Sequence, residues 1–397
     1  MPTLLQINIS ANWGSTGKIA EAIGRVAIAH GWDSYIAFGR WNNPSESHLI
    51  KVGKRWDKYL HFAEQRIRDN EGLCSRSATK RLIQQIEDIK PNVVQLHNIH
   101  DHYLNYELLF EYLNHSSIKV VWTFHDCWAF TGHCFHFVTM DCKRWMSGCH
   151  NCPMRSILPK TLFDRSKENY QLKKNLFCDS ENLTIVSVSD WMAGFVKQSF
   201  LKDKRIEVIK NGVDLTIFRP VNVITDDNTY GILAVSSVWN KDKGLNDIYK
   251  LRDLLPSSYM ITVVGVSQKQ ISKFPRGILG IQRTQDVEAL VNLYSNANVL
   301  INPTYADTFP TVNIESLACG TPVVTYRTGG SPEAVSPSTG VVVEQGDIFA
   351  MAEAIKNICD ADRAQYMIDC RKSAEDNYDK DKCFKKYIEL YEVLIGS

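Results

Sequence analysis

Short apolar runs alternate with helical patterns along this chain, stop, and then begin again. In the first half, residues 4–9, 35–38, 93–96, 120–124, 183–188 and 206–209 read as strands, with helical periodicity over 19–30, 81–89, 107–113 and 191–200. Strands that are apolar on both faces and separated by helices require a parallel sheet covered on both sides. The second half repeats the unit, with strands at 232–235, 261–264, 299–301, 322–326 and 340–343 and helices at 245–255, 287–295 and 313–319, and then helices alone over 349–358, 363–377 and 382–394. Between 220 and 229 the text turns polar (PVNVITDDNT) and the periodicity stops, which marks a linker. The expected fold is α/β with two doubly wound domains, 1–220 and 221–378, followed by a terminal helix at 379–397. Ligands bind at the carboxyl edges of such sheets, so the active site is expected in a cleft where two of these edges face each other.

Length and charge narrow the function. A chain of 397 residues exceeds one ordinary core and suits about two to three domains. A net charge of +1 provides no basic field for nucleic acid. No apolar run is long enough to span a bilayer, and MPTLLQINIS lacks a positive leader before its apolar run, so the protein is expected in the cytoplasm. Eleven cysteines without a leader point to reduced thiols or metal ligation rather than disulfides.

The stretch 302–330 leaves a strand, passes a polar loop and enters a short helix, an arrangement that aims backbone N–H groups at an anion. Asp307 and Glu315 bracket the helix start. Upstream, Lys241 and Lys243 precede Gly244 at another helix start, where a lysine can neutralise a diphosphate. The first loop, Asn12-Trp13-Gly14-Ser15-Thr16-Gly17-Lys18-Ile19, fails the phosphate-loop signature at Asn12 and Ile19, which rejects an NTPase; Gly14 and Gly17 either line the ligand site or form a plain tight turn. His125 follows a strand end and can bond a sugar hydroxyl or move a proton, whereas His97, His100 and His102 read as structural. Cys149 and Cys152 have the CxxC spacing of a zinc knuckle that Cys134 and Cys142 can complete, giving a structural zinc; the alternative is free thiols packed under a loop.

The ordered motifs Ile209-Lys210-Asn211-Gly212-Val213-Asp214, Phe218-Arg219-Pro220, Lys243-Gly244, 307–315, Ala318-Cys319-Gly320-Thr321-Pro322-Val323-Val324, Gly329-Gly330 and Glu333 resemble glycosyltransferase family 4. These are retaining enzymes of the GT-B fold that use a nucleotide-sugar donor, and the resemblance runs over nearly the whole chain. HDCWAFTGHC and the cysteines after it resemble a branch found in bacterial surface-polysaccharide synthesis. The resemblance implies that Glu315, the second acid of an E-x7-E pattern, holds the donor ribose, and that Asp307, one methylene shorter than the usual first acid, faces the donor sugar. It implies that Phe309-Pro310-Thr311-Val312 presents backbone N–H groups to the diphosphate, that Lys243 binds phosphate and that the loop of Gly14 and Gly17 approaches it. His125 matches a histidine near the reacting carbon, and the terminal helix would cross back to the first domain. The family arginine is replaced by Ser237-Val238, with Lys241 as the substitute charge.

Leaving-group charge met by Lys243, the helix start and glycine-loop amides requires no divalent metal. The expected donor is a UDP- or GDP-sugar and the expected acceptor a glycan or lipid-linked saccharide. A sugar-nucleotide epimerase of the same fold and a non-catalytic sugar-nucleotide- or glycan-binding protein are the alternatives. A lipid-linked acceptor would bring the chain to a membrane surface. The segment 54–68 mixes basic and aromatic residues at near-helical spacing, and reads either as an interfacial helix or as a surface helix with its apolar side on the core.

Overall fold

The computed structural model describes residues 1–157, 159–221 and 229–396, so most of the linker read at 220–229 lies outside the described residues. The chain divides into two compact units, Met1–Ile209 with Phe384–Ser397, and Lys210–Cys383.

The first unit is built on seven parallel strands, β1 (Thr3–Asn8), β2 (Asp33–Phe38), β3 (His48–Lys51), β4 (Val93–Leu96), β5 (Lys119–Phe124), β6 (Leu183–Ser187) and β7 (Arg205–Val208), in the order β3-β2-β1-β4-β5-β6-β7. Every residue of β4 and β6 is buried, as the unbroken apolar runs require. β3 is the exception: HLIK is an exposed edge with no apolar periodicity, and the sequence reading passes over it. The strand order reverses between β1 and β4, which are directly paired with Leu4 opposite Val93. In sheets of this kind the loops at the carboxyl ends of the two strands beside such a reversal are where ligands bind. The last helix, Lys380–Gly396, contributes to this unit from Phe384 onward. Phe384, Tyr387, Ile388 and Tyr391 form its buried stripe, and Tyr387 Oη lies 3.2 Å from Thr123 Oγ1 on β5.

The second unit holds six parallel strands, β8 (Tyr230–Val235), β9 (Tyr259–Val264), β10 (Ile278–Ile281), β11 (Val299–Asn302), β12 (Val323–Tyr326) and β13 (Gly340–Val343), in the order β10-β9-β8-β11-β12-β13. Its reversal falls between β8 and β11, and the loops leaving those strands carry Lys243 and Asp307.

Residues 210–220, read from the sequence as the tail of the first domain, pack in the second unit. Val213 bridges to Asp379, and Arg371 Nη1 donates to Phe218 O at 2.8 Å. The compact units therefore change over at 209/210 and again at 383/384 rather than at 220 and 378. Two helices also begin earlier than their apolar periodicity: Gly14–Ala29 instead of 19–30, and Thr311–Ala318 instead of 313–319. In each case the first turn is largely exposed or half-buried, so it carries little hydrophobic pattern.

Candidate active site

In the second unit the predicted donor residues converge. Lys243 sits in a single 3-10 turn, Lys241–Lys243, whose start is tied by Asn240 Oδ1 accepting the Lys243 N–H at 3.1 Å. Gly244 follows with φ +73, and a Cβ there would collide with Pro303 O, so glycine lets this loop lie directly on the chain leaving β11. The loops are laced further by Tyr305 N donating to Asp242 O at 2.7 Å. Lys243 Nζ donates to Asp307 Oδ2 at 2.6 Å in a partly buried ion pair. The Gly329-Gly330 turn backs onto Asp307: Gly330 N bonds Asp307 O at 3.2 Å, and Gly329, with φ +59, has no space for a Cβ against that same carbonyl.

Phe309 and Pro310 are buried and serve as the floor of the loop, with Pro310 as the N-cap of the helix Thr311–Ala318. Proline has no N–H, and Asn313 N turns back to donate to Pro310 O at 3.2 Å, so the amides this helix start leaves for a ligand belong to Thr311 and Val312. The buried Asn313 side chain pins the start, accepting from Asn302 Nδ2 and donating to Ser331 Oγ, both at 2.9 Å. One turn on, Glu315 Oε2 accepts from Tyr294 Oη at 2.8 Å. Burial, followed by the adjacent Glu315 carboxylate, pushes the Tyr294 phenol well above its ordinary range, so it remains a donor and orients the acid. Lys210 Nζ and Glu333 Oε2, both in motifs singled out above, form an ion pair at 3.0 Å. Lys241 is exposed, as is Val238 beside Ser237 where the family arginine is expected.

In the first unit, His125 follows β5 and is oriented by a chain of bonds that the sequence did not reveal. Gln6 Nε2 donates to Ala20 O at 2.8 Å, which leaves Gln6 Oε1 to accept from His97 Nε2 at 3.1 Å. His97 Nδ1 is then the acceptor for His125 Nε2–H, at 3.0 Å. His97, read as structural, is thus the residue that sets the tautomer of His125. Burial lowers His125 to about 4 and holds His97 well below the histidine range, so both rings are neutral at pH 7. Because burial disfavours the charged ring, His125 contributes stability that is present above about pH 6.5 and lost as pH falls through about 4. NMR of the His125 ring is expected to show no titration between pH 6 and 8 and a midpoint near 4; a midpoint near 6.5 would mean that the ring is not shielded from water.

Around this ring lies a charged network. His100 Nε2 and Asp126 Oδ2 pair at 2.9 Å; burial opposes charge on both, but the pairing wins, raising His100 and holding Asp126 at about 2. Asp101 and His102 take consecutive left-handed conformations (φ +81 and +67) and turn both amides onto Glu71 Oε1, at 2.6 and 3.2 Å. Arg40 Nη2 lies 2.8 Å from His102 Nδ1. The signal that could have found this network is the density of histidines and acids at a strand end, in HNIHDH after β4.

The two glycines of the first loop have different roles. Gly14, with φ +67 and open space around it, is exposed at the start of the helix. Gly17 is buried, and a Cβ would stand 2.6 Å from Ser10 Oγ, so glycine at this position lets the helix pack closely on the loop.

The helix Arg55–Arg68 is turned inside out relative to a surface helix with its apolar side on the core. His61 and Gln65 are its buried residues, while Trp56, Leu60 and Phe62 are 77%, 68% and 51% exposed. Leu162 and Phe163, which bond by their amides to Arg66 O and Ile67 O at 2.9 and 3.1 Å, extend the exposed apolar patch. Among the described residues no helix is long and apolar enough to cross a membrane.

Known proteins match this chain at both levels. The family description Glycosyltransferase Family 4 matches residues 16–217, and Glycosyl transferases group 1 matches residues 229–361. WcaC of Escherichia coli K12, named as a colanic acid biosynthesis glycosyl transferase, is 22% identical over 410 residues, covering 98% of this chain and 100% of that protein. The N,N'-diacetylbacillosaminyl-diphospho-undecaprenol alpha-1,3-N-acetylgalactosaminyltransferase of Campylobacter jejuni is 23% identical over 229 residues, 53% of this chain and 60% of that protein. Among solved structures, sucrose-phosphate synthase of Thermosynechococcus elongatus superposes with a TM-score of 0.73 at 16% identity over 100% of both chains. HepE of Anabaena in complex with UDP does so with a TM-score of 0.63 at 13% identity, over 99% of this chain and 100% of that one. With a family match over more than half its length, two parallel α/β sheets and structural neighbours of the GT-B class, the chain belongs to glycosyltransferase family 4.

Proposed function

We propose that this glycosyltransferase moves a sugar, with retention of configuration, from a UDP- or GDP-sugar to a lipid-linked saccharide during assembly of a bacterial surface polysaccharide. The observation that carries this reading is the donor constellation at the switch point of the second unit: Lys243 paired with Asp307, the open helix start at Thr311, and Glu315 oriented by Tyr294. Glu315 would accept from the two ribose hydroxyls. Lys243 and the amides of Thr311 and Val312 would stabilise the diphosphate as its charge develops, and Asp307 would meet the donor sugar. In the first unit, neutral His125, with its Nε2–H committed to His97, would bond the donor sugar or the acceptor without adding a charge of its own. In a retaining transfer by front-face attack, the glycosyl–phosphate bond breaks, the acceptor oxygen bonds the anomeric carbon on the same face, and its proton passes to the departing phosphate oxygen. No step then requires a divalent cation or a covalent sugar–enzyme bond.

The names of WcaC and of the Campylobacter transferase support a polysaccharide product and a diphospholipid acceptor, and the UDP complex of HepE supports the donor class. A lipid carrier requires a docking surface, and the apolar patch of Trp56, Leu60, Phe62, Leu162 and Phe163, with Lys58, Arg66 and Arg68 beside it, would lie on the cytoplasmic face of the membrane. The test is a panel of UDP- and GDP-sugars with a polyprenyl-diphosphate saccharide in anionic vesicles. Transfer with an unchanged anomeric configuration by NMR is expected. Nucleotide binding with neither hydrolysis nor transfer would overturn the reading, and isomerisation of the donor without transfer would replace it with an epimerase. Trp56→Ser with Phe163→Ser is expected to reduce sedimentation with vesicles roughly tenfold.

A further inference from the structure

Between β5 and the helix Ser166–Cys178 the chain runs from Thr131 to Arg165 with only two three-residue 3-10 turns among its described residues. An irregular insert of this length normally needs a cross-link to hold one conformation. Its thiols are gathered: Cys134, Cys142, Cys149 and Cys152 all line one small void of about 10 Å³, space for roughly one water-sized sphere. Cys134 is buried, and the other three are partly buried against the core.

We infer that Cys134, Cys142, Cys149 and Cys152 form a structural zinc site that staples this insert. Three observations besides the thiols point to it. The chain turns back between Cys149 and Cys152, where Asn151 is left-handed with φ +46, and Gly132 N donates to Cys149 Sγ at 3.2 Å, a bond that favours a thiolate. His133 lines the same void with its side chain fully buried. Its Nδ1 is held by Asp69 Oδ1 at 2.5 Å while its Nε2 has no hydrogen-bond partner. A buried ring anchored in this way by a carboxylate, beside the same void as the sulfurs and with its second nitrogen unpartnered, can support a charged centre from the side. Lys173 is buried beneath the insert, where Trp128 O and Thr131 O accept from Nζ at 2.7 and 3.0 Å and the Trp128 ring centroid lies 3.4 Å away. Among the described residues no carboxylate is within ion-pair distance of it. Four thiolates on a divalent cation leave two negative charges, and Lys173 and His133 are the neighbouring groups that would offset them.

Among the described residues no three such side chains yet converge as a ligand set, and all four cysteines are free thiols. Protonated thiols have no reason to meet at a point; Cys134 and Cys152 instead hydrogen-bond to each other. Binding replaces four S–H protons, released to solvent, with four S–Zn bonds and leaves no open coordination position, so the ion would be structural and not catalytic.

The full chain, purified under reducing conditions without a metal-affinity step, is expected to contain about one zinc per chain by elemental analysis. Titrating its thiols with a mercurial should release that ion in step. Cobalt exchanged into the wild-type protein should show thiolate charge-transfer and tetrahedral absorption bands. Cys149→Ser with Cys152→Ser should abolish both signals, while His133→Gln should keep the ion. Folded wild-type protein that takes up neither zinc nor cobalt, or that yields a Cys134–Cys152 disulfide in place of metal, would overturn the inference. These readouts are independent of glycosyl transfer, and the wild-type measurements stand even if the serine variant does not fold.

Discussion

Lys243→Ala is expected to lower kcat about 100- to 1000-fold, the cost of roughly 3–4 kcal/mol typical of removing one preorganised donor from a developing anion. Lys243 ends a 3-10 turn whose backbone is tied by Asn240, and glycine at 244 seats the loop directly on the Pro303 carbonyl, so the ammonium is placed by backbone geometry. Its contact with Asp307 at 2.6 Å shows what else the substitution removes. Alanine leaves that carboxylate unpaired, close to where the donor phosphates would lie, and adds repulsion to the lost attraction. Asp307→Asn separates the two effects: restoration of part of the Lys243→Ala loss in the double variant would assign that part to repulsion. The measurement is steady-state transfer from a UDP- or GDP-sugar. A kcat unchanged in Lys243→Ala would remove the residue from the chemistry, and a raised KM with normal kcat would confine it to ground-state binding.

Glu315→Ala is expected to reduce kcat/KM on the order of 100-fold, from lost hydrogen bonds between a charged acceptor and ribose hydroxyls, each worth about 1.5–3 kcal/mol. Tyr294 provides the internal control. Its hydroxyl donates to Glu315 at 2.8 Å from a fully buried ring, so Glu315→Ala also strands a buried donor. Tyr294→Phe removes that bond while leaving the acid in place, and a far smaller loss is expected from it. Equal losses in the two variants, accompanied by equal falls in Tm, would mean that Glu315 acts through the packing of its helix and does not hold ribose.

The arrangement around Asp307 and the helix start at Thr311 was legible because its geometry is local. Strand end, loop and helix start follow each other within about two dozen residues, and the Asp307 to Glu315 spacing is a property of the sequence alone. The histidine chain of the first unit was not. His97 and His125 are 28 residues apart and Gln6 is 91 residues from His97, so the bonds that set the tautomers depend on β1, β4 and β5 lying side by side. Gly17 shows the same limit on a smaller scale: its close packing on Ser10, where a Cβ would stand 2.6 Å from Oγ, cannot be read from the sequence of the loop. The helix Arg55–Arg68 shows it most directly. Its spacing specifies two faces, but only the rest of the fold shows that His61 and Gln65 point inward and Trp56 and Leu60 outward.

What the sequence determined by itself was the repeated parallel α/β unit, most strand positions, the family and the donor-side motif, because apolar periodicity and short loop spacings are encoded among neighbouring residues. The tertiary structure decided where the compact units change over, with 210–220 carried into the second unit by contacts to Arg371 and Asp379. It also decided the histidine chain and the outward apolar helix. Those features arise from contacts between residues far apart in the chain, and no local pattern specifies which partners the packed sheets will bring together.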